Sequence, residues 1–192
     1  MNIQLTDKRE QIFLSTLSLI HHYGFHGTPM SMIAKEAKVA VGSIYHYFPS
    51  KEDLIIELYW YCKEKLNSEV FCGITADQAF EERFIMVWKR WIRFYQQHIE
   101  IFGFLEQFYG SPFYEEVRSN VICQKAERNK LINFIDEGIR EKHLKNLNVR
   151  IILSIYLGGA ISLFRNSLIT KEEIQEEEMN QLVEIIWNGV KL

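Results

Sequence analysis

The segment from Gly24 to Lys51 constrains the fold most, because its pattern predicts two short helices joined by a tight turn. The second of these helices carries Tyr45, His46 and Tyr47 in direct succession. Since a helix completes a turn in about 3.6 residues, three consecutive ring-bearing side chains cannot all lie on one face. At least one of them must therefore point outward, which is unusual for a helix that serves only in packing.

Helical periodicity extends over almost the whole chain of 192 residues. Hydrophobic residues make up 47% of the sequence and aromatic residues 14%, which is enough to bury a substantial core. Pro29 is predicted at the first position of the second helix, a preferred place for proline. The sequence predicts an all-α protein of about nine helices, at about 6–23, from 29, 40–47, 50–72, 76–97, 99–109, 112–143, 147–167 and 171–191.

Several typed positions follow one another at fixed spacing in about the first third of the chain. They are a glycine-aromatic pair, a threonine, an I-A-x-x-A helix, a ring cluster ending in phenylalanine and a K-x-x-L element, at 24–25, 28, 33–37, 45–48 and 51–54. This arrangement resembles the TetR/AcrR family of bacterial one-component regulators. The resemblance implies a three-helix helix-turn-helix DNA-binding domain at residues 1–50, with its motif at about 29–48. It also implies a helical ligand-binding and dimerisation domain at 51–192.

Two positions depart from the family pattern. Lys38 stands at the turn position that is usually glycine, so it must adopt the left-handed backbone conformation at a modest cost. Ala40 replaces the serine that usually caps the recognition helix, which removes a side-chain cap of ~1 kcal/mol. Neither change removes the motif. Ser50 is predicted to cap the next helix, with Asp53 three residues further on.

The resemblance assigns roles within the helix-turn-helix. The first helix of such a motif crosses the DNA backbone, and the second lies in the major groove with its N-terminal residues against base edges. No arginine lies on this helix, so recognition is expected to use DNA shape and methyl contacts. The predicted DNA-binding residues are Ser31, Val41, Gly42, Ser43, Tyr45 and His46, together with Thr28, Tyr47 and Lys51 for phosphates. The predicted supporting core is Ile33, Ala34, Ala37, Val39, Ile44 and Phe48.

The predicted fifth and sixth helices are rich in aromatic residues. The resemblance implies an effector cavity among the middle helices, which would take a hydrophobic or amphipathic small molecule. An aromatic stripe at helical spacing is also what a packed core requires, so that alternative stays open for each residue. The predicted lining residues are Trp88, Trp91, Tyr95, Phe108 and Phe164.

The last two predicted helices are candidates for a homodimer interface. One carries small residues on neighbouring turns, and the other carries a continuous apolar stripe at helical spacing. The resemblance implies that both helices pair with their mates in a four-helix interface, and burial inside one subunit is the alternative. The predicted interface residues are Gly158, Gly159, Ser162, Met179, Leu182, Val183 and Ile186.

Charge and cysteine content limit the protein class. The net charge is −3, but residues 1–51 carry five basic and three acidic residues, so the predicted DNA-binding segment is the less acidic part. The three cysteines are widely spaced, which fits a reducing cytosol better than a disulfide framework. The N-terminus lacks a signal-peptide pattern. The apolar stretch 151–164 is shorter than the ~20 residues of a membrane span, so we expect a buried helix and a cytoplasmic bacterial protein.

Motifs for catalysis are missing from the sequence. It contains no glycine-rich phosphate loop, nucleophile elbow or H-E-x-x-H, and Gly24 interrupts the helical spacing of His22 and His26. We therefore predict no enzymatic activity, metal or cofactor. The predicted function is a ligand-responsive regulator, a repressor that binds a palindromic operator in double-stranded DNA as a homodimer. The alternatives are a DNA-bound structural or cell-cycle factor without an effector, and a helical small-molecule-binding protein that no longer binds DNA.

Overall fold

The structure, a computed structural model, describes residues 8–121 and 130–192. Within these residues the chain is all-α, which confirms the predicted fold class. Leu144 and Lys191 form an isolated antiparallel bridge. The helices are α1 (Lys8–Tyr23), α2 (Met30–Glu36), α3 (Val41–Tyr47), α4 (Lys51–Val70), α5 (Phe80–Gln97), α6 (Ile99–Tyr109), α7 (Pro112–Val121), α8 (Lys130–Arg140), α9 (Val149–Thr170) and α10 (Glu176–Val190).

The helices divide between two compact units. The first unit comprises residues 1–64 and 98–123, and the second comprises 65–97 and 124–192. Helix α4 contributes to both, since the division falls within it. In the first unit α1 packs against α2 and α6, and α2 packs against α3. In the second unit α5 packs against α9 and α10, and α8 packs against α9.

Local backbone signals explain where the first helices begin and end. Gly24 has a φ of +68°, so the chain leaves the α1 axis there as predicted. Pro29 lies one residue before its predicted place, at the N-cap of α2. The Ser50 hydroxyl oxygen accepts from the Asp53 amide at 3.0 Å, which confirms the predicted cap of α4. The hydroxyl also donates to the Asp53 carboxylate at 2.6 Å, so the arrangement differs from a reciprocal capping box.

Three predicted boundaries of the later helices differ from the structure. Helix α5 begins at Phe80, and the residues from Ala76 onward form a turn. Helix α9 ends at Thr170, because Lys171 adopts a left-handed conformation with φ 61°. Helix α10 then begins at Glu176 behind a capping box formed by Gln175 and Glu178. The predicted helix 112–143 corresponds to α7 and α8, and the segment between them lies outside the described residues, as does the predicted cap Thr6.

In the core of the second unit, two hydrogen bonds join the aromatic side chains of α5 and α9 to the backbone of the facing helix. The Trp88 indole N–H donates to the Tyr156 carbonyl oxygen at 2.8 Å, and the Tyr156 hydroxyl donates to the Phe84 carbonyl oxygen at 2.7 Å. The ring centroids of Phe84 and Tyr156 lie 4.5 Å apart. All three side chains are fully buried. These cross-helix hydrogen bonds satisfy polar groups that would be costly to bury unpaired.

Helix α9 is apolar along its length but is buried on one face only. By length and composition its 22 residues are sufficient to cross a membrane, a criterion that the core helix of a soluble protein also meets. The buried residues are Ile152, Tyr156, Ala160 and Phe164, at intervals of four. Ile151 and Ile155, by contrast, are about half exposed. The prediction of a buried helix is therefore wrong for the single chain, because α5, α8 and α10 cover only one side of α9.

Candidate functional site

Helices α2 and α3 form the predicted helix-turn-helix. The turn passes through Lys38, whose φ of 55° confirms the predicted left-handed conformation. The Val39 amide donates to the Ala34 carbonyl oxygen at 3.0 Å, which closes the turn. Helix α3 begins without a side-chain cap at Ala40, also as predicted. The supporting core is confirmed for Ile33, Ala34, Ala37, Ile44 and Phe48, which are buried, whereas Val39 is half-buried.

Helix α3 is exposed around most of its circumference, with only Ile44 buried. Val41 and Tyr47 each keep 39% of their surface accessible and Tyr45 keeps 49%, and His46 is exposed as well. A Cβ added at Gly42 would meet no atom within 4 Å, so the start of α3 is open to close approach by a partner. Of the remaining predicted contacts, Ser31 on α2 is exposed and Ser43 is half-buried. Most of the predicted base-reading side chains are thus accessible, and their contact with DNA stays a prediction.

Thr28 is a correction to the predicted site. Its side chain is fully buried, and its hydroxyl donates to the Gly24 carbonyl oxygen at 2.8 Å. A buried hydroxyl cannot contact a phosphate, so the predicted role of this side chain is wrong. The bond joins the two ends of the loop between α1 and α2. A threonine hydroxyl commonly bonds to the carbonyl oxygen four residues earlier. The position of Thr28 four residues after the helix-ending Gly24 was therefore the sequence signal for this structural bond.

Lys51 has a structural contact that the sequence did not predict. Its ammonium donates to the Phe25 carbonyl oxygen at 2.5 Å, across 26 residues of sequence. Burial lowers the pKa of Lys51, and the neighbouring Glu52 opposes that change. The ammonium in the first turn of α4 thus has a backbone acceptor within the chain. Its predicted contact with a DNA phosphate stays a prediction.

The Phe25 loop also connects the helix-turn-helix to α6 and α7. The Phe25 ring lies 5.8 Å from the Phe104 ring and 5.6 Å from the Phe113 ring, measured between centroids, and both pairs are edge-on. Aromatic pairs in this geometry contribute about 0.5–1.5 kcal/mol beyond the area that they bury. These ring contacts therefore join α6 and α7 to the loop that precedes α2.

Tyr59, Tyr109 and Tyr114 form a ring cluster in the first unit, with centroids 6.2 Å apart for Tyr59 and Tyr109 and 5.3 Å apart for Tyr109 and Tyr114. Tyr59 and Lys63 are four residues apart on α4 and so share one face, and Tyr109 and Tyr114 approach from α6 and α7. The hydroxyls of Tyr59 and Tyr109 are hydrogen-bonded. Burial is the main cause that raises the pKa of Tyr59 and Tyr109, the latter to about 12. Sequence patterns did not predict this cluster, because its members lie on three separate helices.

The predicted effector residues are distributed over both units. Trp88, Trp91, Tyr95 and Phe164 lie in the core of the second unit, each at most 5% exposed. The Trp88 N–H is already bonded to the Tyr156 carbonyl oxygen, whereas the buried Trp91 N–H has no acceptor among the residues that the structure describes. Phe108 belongs to the first unit, where its ring stacks on Tyr59 at 4.4 Å. A role in lining a cavity stays a prediction for these residues.

The apolar stripe of α10 requires a correction. Met179, Val183 and Ile186 are each at most 4% exposed in the single chain, so they lie in the core and not on a partner-facing surface. They were predicted at the interface because a stripe at helical spacing does not reveal which neighbour covers it. The other predicted interface residues differ: Gly158 and Ser162 are exposed, and Gly159 and Leu182 are half-buried. Their contact with a second copy stays a prediction.

Metal binding finds no support in the part of the chain that the structure describes, where no three His, Cys, Asp or Glu side chains are grouped to hold an ion. Cys62 is buried and Cys72 is exposed, and neither forms a disulfide with another described residue. Cys123 lies outside the described residues.

Comparison with known proteins adds independent information on both parts of the chain. Residues 12–58 match the family model described as bacterial regulatory proteins of the tetR family, and residues 79–191 match the model of the tetracyclin repressor-like C-terminal domain. An HTH-type transcriptional regulator of Haemophilus influenzae is 25% identical over 186 residues, which are 97% of each chain. The fatty acid metabolism regulator protein of Bacillus subtilis is 43% identical over 64 residues, 33% of this chain and 31% of that protein.

A solved structure shares the fold over nearly the full length. The transcriptional regulator FadR from Bacillus subtilis, solved in complex with stearoyl-CoA, superposes with a TM-score of 0.78. The two chains are 20% identical, and the match covers 94% of this chain and 98% of that one. The second family model alone spans more than half of the 192 residues, and the first covers the helix-turn-helix with its exposed α3 face. The chain therefore belongs to the TetR family of bacterial transcriptional regulators.

Proposed function

We propose that this regulator is a repressor that binds a palindromic operator as a homodimer and is released from DNA by a hydrophobic or amphipathic effector. The observation that carries the proposal is the exposed surface of α3, on which Val41, Tyr45, His46 and Tyr47 are all accessible beside a packed helix-turn-helix core. Side chains of this kind reach base edges by methyl contact and hydrogen bonding, and they position the helix on the phosphate backbone. The family to which the chain belongs uses this motif to bind DNA.

The homodimer is supported by the uncovered face of α9. Ile151, Ile155 and Ile169 are 52%, 46% and 72% exposed, and Gly158 and Ser162 lie between them on the same helix. Apolar residues lining one face of a helix for several turns indicate a surface that a partner covers. Small residues at its centre permit close approach of a second helix. A symmetric pair places two recognition helices about 34–36 Å apart, or a multiple of one DNA turn.

The class of effector is inferred from composition and from one relative. The two units bury many rings, and aromatic-lined cavities suit apolar or amphipathic ligands. FadR from Bacillus subtilis, which has the same fold, was solved with stearoyl-CoA, a molecule with a long acyl chain and a charged head. We therefore propose a long-chain effector of this general kind for the present protein.

The effector must favour one conformation over the other. A ligand shifts an equilibrium only by its difference in affinity between two states, and a few kcal/mol are needed for an effective switch. Helix α6 packs against α1, and Phe25 packs against Phe104 and Phe113. Movement of α6 or α7 on ligand binding is thus expected to reorient the helix-turn-helix. The two helix-turn-helix motifs of the dimer would then no longer fit the two halves of the palindromic operator at the same time.

The first experiment selects random duplex DNA with the purified protein at physiological salt and sequences the bound fraction. Enrichment of a palindrome is the expected result. Tyr45→Ala and His46→Ala should then weaken binding to that sequence by about 1–3 kcal/mol, the usual loss for a base contact. Leu14→Ala, at an exposed apolar residue of α1, serves as the matched control and should bind as the wild type does. A bound fraction in which no sequence is enriched over the starting DNA would overturn the proposal.

A further inference from the structure

The second unit contains a crevice between α5, α8 and the segment that joins α4 to α5. Its volume is about 350 Å³, which lies within the range of small-molecule sites. Lys130, Asn133, Phe134 and Glu137 recur at intervals of three and four, so they form one wall from a single face of α8. None of the five residues predicted to line an effector cavity borders this crevice. It is therefore a separate candidate site.

Arg83 lines the crevice from α5 and is only 5% exposed. Its Nη1 donates to the Glu137 carboxylate at 2.7 Å, which joins α5 to α8. The central carbon of the guanidinium lies 5.2 Å from the Phe80 ring centroid and 5.8 Å from that of Phe134. An ion pair and two rings thus hold the guanidinium in one position.

One edge of this guanidinium is left without a carboxylate. The bond to Glu137 uses Nη1, so it does not involve the edge formed by Nε and Nη2. The buried Nε has no acceptor among the residues that the structure describes. Another acid near Arg83, Asp77, is exposed and hydrogen-bonded to the Thr75 side chain. An unsatisfied donor on a buried charged group is unfavourable, so an acceptor that enters the crevice would be stabilised there.

The crevice also offers an apolar surface near the guanidinium. The rings of Phe71 and Phe134 meet edge-on with centroids 6.0 Å apart, and Ile74 lines the crevice beside them. Of the charged residues in the lining, Arg83 and Lys130 are positive and Glu137 is negative. Apolar walls next to an excess of positive charge suit a molecule with an apolar body and an acidic head.

We propose that this crevice binds a small amphipathic acid, whose carboxylate accepts from the Nε and Nη2 edge of Arg83 while its apolar part packs against Phe71 and Phe134. A guanidinium carries five N–H donors in a planar fork, so it can bind Glu137 and a second carboxylate at different edges. Bidentate bonds of this kind are the stronger class, because donor and acceptor are both charged. The inference goes beyond the proposed function, since it assigns a site without reference to DNA.

Binding at this site would connect three parts of the second unit. Phe71 follows α4, Arg83 belongs to α5 and Phe134 belongs to α8. A ligand that contacts all three binds the folded state and not the unfolded one. It should therefore raise the unfolding temperature in proportion to its occupancy.

The test titrates the full chain with octanoate and with octan-1-ol, which have the same chain length and differ in the head group. Ligand-observed NMR measures both affinities, and thermal unfolding provides the second readout. The wild type is expected to bind octanoate about tenfold more tightly than octan-1-ol, the usual gain from a hydrogen bond between charged groups. Octanoate should also raise the unfolding temperature more than octan-1-ol at equal concentration.

The decisive variant carries Arg83→Met together with Glu137→Gln, so that neither charge is left buried without its partner. It should reduce the preference for octanoate to about one. Glu137→Gln alone frees Nη1 and removes a competing carboxylate, so it should keep or increase the preference. Arg93→Met with Glu176→Gln removes another ion pair of α5, with a distance of 2.8 Å, and is the matched control that should keep the preference.

A further variant locates the site without disturbing the Arg83 ion pair. Ala76 is an exposed residue of the crevice wall, and Ala76→Trp adds a bulky ring there without a change of charge. It should weaken octanoate binding about tenfold. If the double variant at Arg83 and Glu137 does not fold, this result decides the question.

Failure of octanoate to bind, or equal binding of octanoate and octan-1-ol by the wild type, would overturn the site. The same follows if the folded double variant keeps the preference, or if Ala76→Trp binds octanoate as the wild type does. None of these measurements uses DNA, so such a failure leaves the proposed repressor untouched. Selection of an operator from random DNA tests that function separately.

Discussion

Thr28 shows how a residue of the family signature can serve the fold instead of the DNA. Its hydroxyl is buried and donates to the Gly24 carbonyl oxygen, so removing it leaves a buried acceptor unpaired. We expect Thr28→Val to reduce the free energy of unfolding by about 1–3 kcal/mol, and Thr28→Ser to restore most of that loss. Urea unfolding followed by circular dichroism measures both.

DNA binding by the same variants separates the two roles. Because the side chain touches no solvent, the salt dependence of operator binding should be identical in the wild type and in Thr28→Val below the unfolding transition. A shallower salt slope in the valine variant would show that the hydroxyl does reach a phosphate, and the side chain would then serve DNA binding as well as the fold.

At the scale of single helices, the sequence predicted helix ends and turns best, because these depend on the conformation of a few adjacent residues. Gly24, Lys38 and the Ser50 cap behave as expected, because backbone conformation and capping depend on a few adjacent residues. Helix α6 has the predicted bounds Ile99–Tyr109. The sequence could not predict what covers the apolar side of α10. Met179 and Val183 fit burial in the core of one chain and burial against a second chain equally well. The partner of Lys51 lies 26 residues away, beyond the reach of any local pattern.

The exposed face of α9 yields a prediction for the assembly of that helix. Ile155→Glu places a charge on the surface proposed to meet a second copy, and desolvating that charge is costly. Sedimentation equilibrium should show the wild type at twice the chain mass of 22.8 kDa and the variant at the single-chain mass. Leu14→Glu, at a similarly exposed apolar residue of α1, should remain dimeric. A dimeric Ile155→Glu protein would place the interface elsewhere.

At the scale of the whole molecule, regulation requires a coupling free energy between effector and DNA. In TetR-family regulators the two ligands bind different domains, and coupling between sites is reciprocal by thermodynamic necessity. In this chain the contacts that join α6 and α7 to the loop before α2 converge on Phe25, whose ring touches Phe104 and Phe113 while its carbonyl accepts from Lys51. A residue with these contacts can transmit a shift without touching either ligand.

Phe25→Leu should therefore weaken the coupling while leaving both binding events intact. We expect DNA affinity without ligand, and ligand affinity without DNA, to stay within about twofold of the wild type. The factor by which the preferred long-chain ligand weakens operator binding should fall from about 10–100 towards one. Tyr23→Leu, at a ring that is 61% exposed beside the same loop, is the control and should keep the full factor. Because coupling is reciprocal, operator DNA should also cease to weaken ligand binding in Phe25→Leu. A Phe25→Leu protein that keeps the full factor would show that the coupling runs through other contacts.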